Sequence, residues 1–522
     1  MKKIIYGFLL FTVGIMTVSC GSDSSDKVIL QYTTDKTLAI VKINLDQLDK
    51  KLPKEEMLKD DSKKLSASEK EKMELFLNAD KNGIDIEKPL YIVTEQNDKG
   101  FAFSFFGWLS DQAKFETNFS KISGKKITID KTKNLIYADS ELIGGIKDKM
   151  IVLARGEGNP MEGMYGRVPA NGGALTEKFY TDLWARKPLE DKNTVAQIEK
   201  SLEAKADIST WVNLYGVINT VSKGYIETLA VNKLLLNSGI GFNLNFEEGK
   251  IKLNTNTFFN EDLKKLVEQY YKGKSVDYSI VKNIDLDTAK SFGIGYVSFD
   301  FMKHLVKEAG FEAMVNNVLE SQGLTFEEIT AALNGNYAFV MYKDVEPAPA
   351  AAPAEDTADM AASTEDDIVG YEDPYVQAYD PYAAMPKPNT LVALGINGAK
   401  AKKLIDLINK NSPAFSSYGQ IYSNNNLLVF STQESNLSLL KSNKAAANKK
   451  LDKKSGVNSY TWASGEDINT LIGSKLGAKE GTVKMTKMES VSKIEDGNAT
   501  SEVTITLDKD KKNALHYLMG YE

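Results

Sequence analysis

Ala39-Ile-Val-Lys-Ile-Asn-Leu-Asp46 and Gly293-Ile-Gly-Tyr-Val-Ser-Phe-Asp300 are two versions of one phrase, an apolar strand running into the start of a helix. Outward from them, further matches keep the same order in both parts of the chain. Gly83-Ile-Asp-Ile-Glu87 answers to Gly323-Leu-Thr-Phe-Glu327, and the strands Leu90-Tyr-Ile-Val93 and Tyr337-Ala-Phe-Val340 follow. The stretch from Phe101 to Phe119 matches Thr390 to Ile408, and Lys149-Met-Ile-Val-Leu-Ala154 matches Asn426-Leu-Leu-Val-Phe-Ser431. Thr210-Trp211 with Ile218-Asn-Thr220 recurs as Thr461-Trp462 with Ile468-Asn-Thr470, and Phe242 to Gly273 answers to Val491 to Gly520. An order kept so fully predicts two diverged tandem copies of a unit of about 240 residues.

Each copy mixes two periodicities. Ile251-Lys-Leu-Asn-Thr-Asn-Thr-Phe258 alternates apolar and polar, which predicts antiparallel sheet with one covered face. From Val212 through Leu235 the spacing is helical, with Leu214, Val217, Ile218, Val221, Tyr225 and Leu229 in one stripe that reads as core. The expected fold class is therefore α+β, two copies of an antiparallel sheet with helices, over residues 31–280 and 285–522. A linker at 346–388 interrupts the second copy. Its opening, Pro347-Ala-Pro-Ala-Ala-Ala-Pro353, and its run of acids are too poor in apolar area to order, while its distal Tyr371, Tyr375, Tyr379 and Tyr382 are expected to dock on the chain itself.

The N-terminus reads as an export and anchoring signal. Lys2 and Lys3 precede an apolar run from Ile4 to Val18, and Ser19 stands before Cys20, the only cysteine among 522 residues. Thr17-Val-Ser-Cys20 resembles a lipobox, with Thr17 where leucine is usual, so 1–19 is expected to be a lipoprotein signal peptide and Cys20 the acylated residue. The run is shorter than the ~20 residues of a spanning helix. Gly21, where an aspartate would resemble an inner-membrane retention signal, favours the outer membrane. Residues 20–30 read as an acidic, serine-rich tether. With Cys20 taken by lipid no disulfide can form, and stability must come from the core.

Composition narrows the function classes. The chain is 42% hydrophobic and 26% charged with a net charge of −7, and its pI is about 5.4. That balance is far from the basic one of a nucleic-acid binder. His304 and His516 are the only histidines and lack the spacing of zinc ligands. No nucleophile elbow, phosphate loop or complete dinucleotide fingerprint is present. Asp80-Lys-Asn-Gly-Ile-Asp-Ile-Glu87 is too compressed for a calcium loop and reads as a helix stop followed by a new helix start. No metal or cofactor is expected. Carboxylates brought together only by folding would leave no local signature.

Arginine is the unusual residue. Arg155, Arg167 and Arg186 are the only three, and all fall in one segment that is glycine-rich from Arg155 to Arg167 and also carries Tyr165 and Trp184. Arginine with aromatic residues is the composition of binding hot spots. These five residues form the expected contact surface.

The Lys27-Val-Ile-Leu30 start, the Ala-Ile-Val-Lys-Ile-Asn-Leu phrase and the late Thr-Trp pair resemble an uncharacterised family of large Bacteroidetes lipoproteins. The resemblance implies an envelope location and brings no activity. Ser22-Asp-Ser-Ser-Asp26 resembles the signal that sends such lipoproteins to the cell surface, and Asp356-Thr357-Ala358 resembles their O-glycosylation acceptor, at Thr357. The expected function is a non-catalytic, lipid-anchored envelope protein that binds protein or glycan. The alternatives are an envelope hydrolase with unplaced carboxylates, or a carrier holding an apolar ligand between the halves.

Overall fold

The computed structural model describes residues 23–52, 54–59, 66–97, 100–158, 176–203, 205–222, 224–343, 388–415, 419–466 and 484–519. Cys20, Tyr165, Arg167 and Thr357, with most of the 346–388 linker, lie outside them.

The first half supplies β1 (Thr37–Ile43), β2 (Leu90–Asn97), β3 (Gly100–Trp108), β4 (Ile127–Asp130), β5 (Leu135–Ala138), β6 (Glu141–Lys147), β7 (Met150–Gly158), β8 (Ile208–Asn213), β9 (Gly239–Glu247) and β10 (Lys250–Phe258). The second supplies β11 (Ala289–Tyr296), β12 (Leu333–Tyr342), β13 (Thr390–Ile396), β14 (Gln420–Ser423), β15 (Leu427–Ser431), β16 (Ser459–Ser464), β17 (Met485–Glu495) and β18 (Asn498–Leu507). With helices between them, the class is α+β. Every pairing is antiparallel, and together they make one sheet in the order β4-β5-β6-β7-β3-β2-β1-β8-β9-β10-β18-β17-β16-β11-β12-β13-β15-β14.

The pairing scheme from β6 to β10 reads again, in mirror order, from β14 to β18. The seam is symmetric: Asn254, fifth in β10, stands opposite Glu502, fifth in β18. A bulge falls between Thr37 and Ala39 on β1 and again between Ala289 and Ser291 on β11. This shared irregularity places Ala39 against Ser291, two residues from its sequence match at Gly293. The tryptophan match holds in register, with Trp211 opposite Ile40 and Trp462 opposite Phe292.

Each half buries its own core, but the two exchange their last helices. On one face of the first half Ile40, Tyr91, Phe106, Val152 and Trp211 pack under helices Asp23–Gln31, Glu177–Trp184 and Lys192–Leu202. On the other, Ile43, Leu90, Ile92 and Ile151 meet Leu48, Phe115 and also Tyr517, from the helix Ala514–Leu518 at the end of the chain. In return helix Glu261–Tyr271 packs Leu263 and Val267 near Phe301, Leu305 and Ile494 of the second half. The expected boundary also moves. Val276, Ile280, Val281 and Ile284 belong to the core of the second half, because the turn Tyr278–Val281 packs against β12 and β13.

Two further expectations are corrected. Residues 20–30 are not all tether: from Asp23 the chain is helical, because Ile29 and Leu30 have a core to enter. The strand 251–258 has no fully buried face: both its sides are half-buried along most of its length. In β10, β17 and β18 only Phe258 and Leu507 are buried, and most other residues are half-buried on both faces.

Candidate functional site

The apolar stripe of 212–235 is where the structure departs most from the sequence. It is not one helix. Helix Leu214–Val221 ends at Ser222, Gly224 adopts a left-handed φ of 82°, and a short turn Tyr225–Thr228 and helix Asn232–Leu235 follow. No residue of Leu214–Val221 is buried, while Val221 is 54% and Tyr225 61% exposed. An apolar helix normally signals burial, which is why the sequence misleads here.

Helix Asn232–Leu235 joins this segment to the second half. Val231 and Leu234 pack with Phe301 and Leu305 of helix Phe299–Glu308, and Lys233 Nζ lies 3.0 Å from Glu308 Oε2. That ammonium holds the Glu308 carboxyl below its ordinary pKa. Met302 on this helix, then Met314 and Val318 one turn apart on helix Glu312–Glu320, also face solvent, at 59% and 66% exposure for the latter two. Of the nine exposed large hydrophobic residues among those described, Val221, Tyr225, Leu236, Met302, Met314 and Val318 fall on the helical segments 214–236 and 299–320. Unburied apolar side chains concentrated on a few helices differ from the scattered single exposures ordinary to a protein surface. Sequence reading missed the three on helices 299–320, whose apolar neighbours Phe301, Val315 and Leu319 let them pass for core positions. Phe339 and Met341 form a smaller patch on β12.

The arginine segment divides. Arg155 is an exposed strand residue of β7 opposite Phe103, not the start of a loop. Arg186 faces inward: its Nη1 donates at 2.8 Å to both the Tyr32 carbonyl and Glu95 Oε1, and Glu95 is 5% exposed. Trp184 closes its helix against Tyr32, with ring centroids 5.8 Å apart, and Lys147 Nζ lies 5.9 Å over its ring. Arg186 and Trp184 thus brace helix Glu177–Trp184 against the sheet, and the three described residues do not converge on a common outward surface.

The remaining motifs are structural. Gly83 and Gly323 both take left-handed φ, of 78° and 75°, and Thr325 opens helix Phe326–Ala332 with a capping box. A β-carbon on Gly83 would lie 2.3 Å from the Asp111 carbonyl, so this turn admits no side chain. Asp85 accepts from the Glu87 amide in a turn, with no helix after it. Among the described residues no cluster of acids, histidine or cysteine could hold a metal. A wholly apolar void lined by Ile43, Leu90, Ile92, Phe105 and Ile151 measures ≈ 20 Å³, room for about one water, and lies inside the first half. No helix among the described residues is long and apolar enough to cross a membrane.

An antiparallel α+β sheet protein with an exposed apolar helical layer is the class these features define. The chain belongs to the family described as "Domain of unknown function (DUF4836)", whose model matches residues 25–455. No curated protein matches it. A solved structure, described as crystal form III of TP0453, is 13% identical over 48% of this chain and 88% of that one, with a TM-score of 0.26, too low to define a shared fold.

Proposed function

We propose that this chain is a lipid-anchored, non-catalytic envelope protein that binds a protein partner through the helical layer of 214–236 and 299–320. The observation that carries the reading is the layer itself, with six large apolar side chains left in solvent beside a well-filled core. Methionine at Met302 and Met314 suits adaptable contact. The anchor is Cys20, acylated after removal of 1–19, and the destination is the outer membrane. Arg155, exposed on β7, contributes a flanking contact. We read the halves as a tandem duplication, supported by the repeated pairing scheme and the shared bulge.

The test is a photo-crosslinking side chain placed at Met314 or Val318 in cells, against Lys178 on the exposed face of helix Glu177–Trp184. A defined adduct at the first two positions and none at the third supports the reading. Equal adducts at all three, or none, overturn it. Protease shaving of intact cells at 347–367, set against lysed cells, decides between surface and periplasmic exposure.

A further inference from the structure

Helix Asp23–Gln31 is locked to the sheet. Ile29 is 0% and Leu30 8% exposed. Asp26 Oδ2 lies 2.8 Å from Lys42 Nζ, which also donates at 2.8 Å to the Leu202 carbonyl, and the Tyr91 hydroxyl donates to Asp26 Oδ1. Lys42 is 2% exposed, so Asp26 cannot let go without stranding a buried ammonium.

The helix runs antiparallel to β1. Asp26 sits beside Lys42 near the end of β1, whereas Thr34, just past the helix, bonds Glu95 beside Thr37 at its beginning. The chain therefore enters where β1 ends and β2 and β8 begin. Lys51 is held there by Asp207 at 2.7 Å, and helix Lys54–Lys59 by His516 and Lys512, at 3.1 and 3.3 Å from Glu56. Only Gly21 and Ser22 separate Cys20 from Asp23, a reach of at most about 11 Å.

We propose that this end of the first half is a membrane-contact face, seated on lipid headgroups by an anchor too short to let it lift away. Lys205 and helix Lys54–Lys59 with its exposed Leu58 form the footprint, held in place from behind by the buried Asp207. Helix Leu214–Val221 leaves from the opposite end of β8, six residues or roughly 20 Å off, and Thr220 bonds Gln96 there, so the exposed Val221 and Tyr225 are presented away from the bilayer. The inference rests on acylation of Cys20, and its partner is the lipid surface, not a protein.

The test uses the acylated full chain in phosphatidylcholine vesicles carrying an acceptor dye on some headgroups. With Cys20 capped by lipid, a new cysteine is the only free thiol. Donor dye on Leu58→Cys or Lys205→Cys should transfer energy strongly, and on Tyr225→Cys several-fold less. Twelve Gly/Ser residues inserted after Ser22 should abolish most of that difference. Equal transfer from positions 58 and 225 in the native-length chain, or a difference unmoved by the spacer, overturns the proposal. Mass spectrometry of the purified chain tests acylation separately, so a missing lipid refutes the anchor itself. All three label sites are exposed, and circular dichroism verifies that each variant is folded.

Discussion

Arg186 shows how far a conspicuous residue can be from the role its rarity invites. Its guanidinium spans the Tyr32 carbonyl and the buried Glu95, to which Thr34 also donates at 2.9 Å. Removing it leaves that carboxylate without its cation. Arg186→Ala is expected to cost about 3 kcal/mol in urea unfolding, with Arg186→Lys recovering part of it. An unchanged midpoint would return Arg186 to the binding surface. His516 carries a pH effect. Burial holds its imidazole below the ordinary value of 6.5, against the pull of Glu56. Below about pH 6.5 the unfolded chain binds the extra proton first, so stability falls as pH drops through the folded value. His516→Asn should flatten that part of the urea-midpoint profile between pH 7 and pH 5. Residue types and their spacing were legible in the sequence. Which of them face each other was not, because Glu95 and Arg186 meet only through folding.

Elements were legible where local chemistry decides them. The glycine turns at Gly83 and Gly323 need positive φ, and the alternation of 251–258 does make a strand. Whether an element is covered depends on what lies beside it, and this the periodicity of 212–235 could not convey. The β17–β18 hairpin gives an element-scale prediction. Asp496 and Gly497 have φ of 49° and 70°, the pattern of a two-residue turn matched to strand twist. A β-carbon on Gly497 would lie 2.7 Å from the Lys264 carbonyl of helix Glu261–Tyr271. Gly497→Ala should therefore cost more than the roughly 1–2 kcal/mol of left-handed strain alone. Amide exchange should localise the loss to helix Glu261–Tyr271. Exchange unchanged there would mean that the exchanged helix is not held by this turn.

At the scale of the molecule, the sequence predicted two similar halves but not how they are joined. Local matching is blind to a symmetric seam at β10 and β18 and to helices that cross it. Because Ala514, Tyr517 and Leu507 sit in the core of the first half, the halves are not separable domains. Unfolding is expected to be one calorimetric transition, and truncation after Lys511 should lower the melting temperature of the first half as well as the second. A first half that melts unchanged in that truncated chain would show the exchange to be incidental.

The exchanged helix also sets a timetable. Glu56 meets Lys512 across 456 positions, so a core begun within the first sixty residues is finished by the last ten. A chain exported N-terminus first would reach its destination with that core open. It would depend on holding factors until its final residues emerged, and then close both halves in one late step.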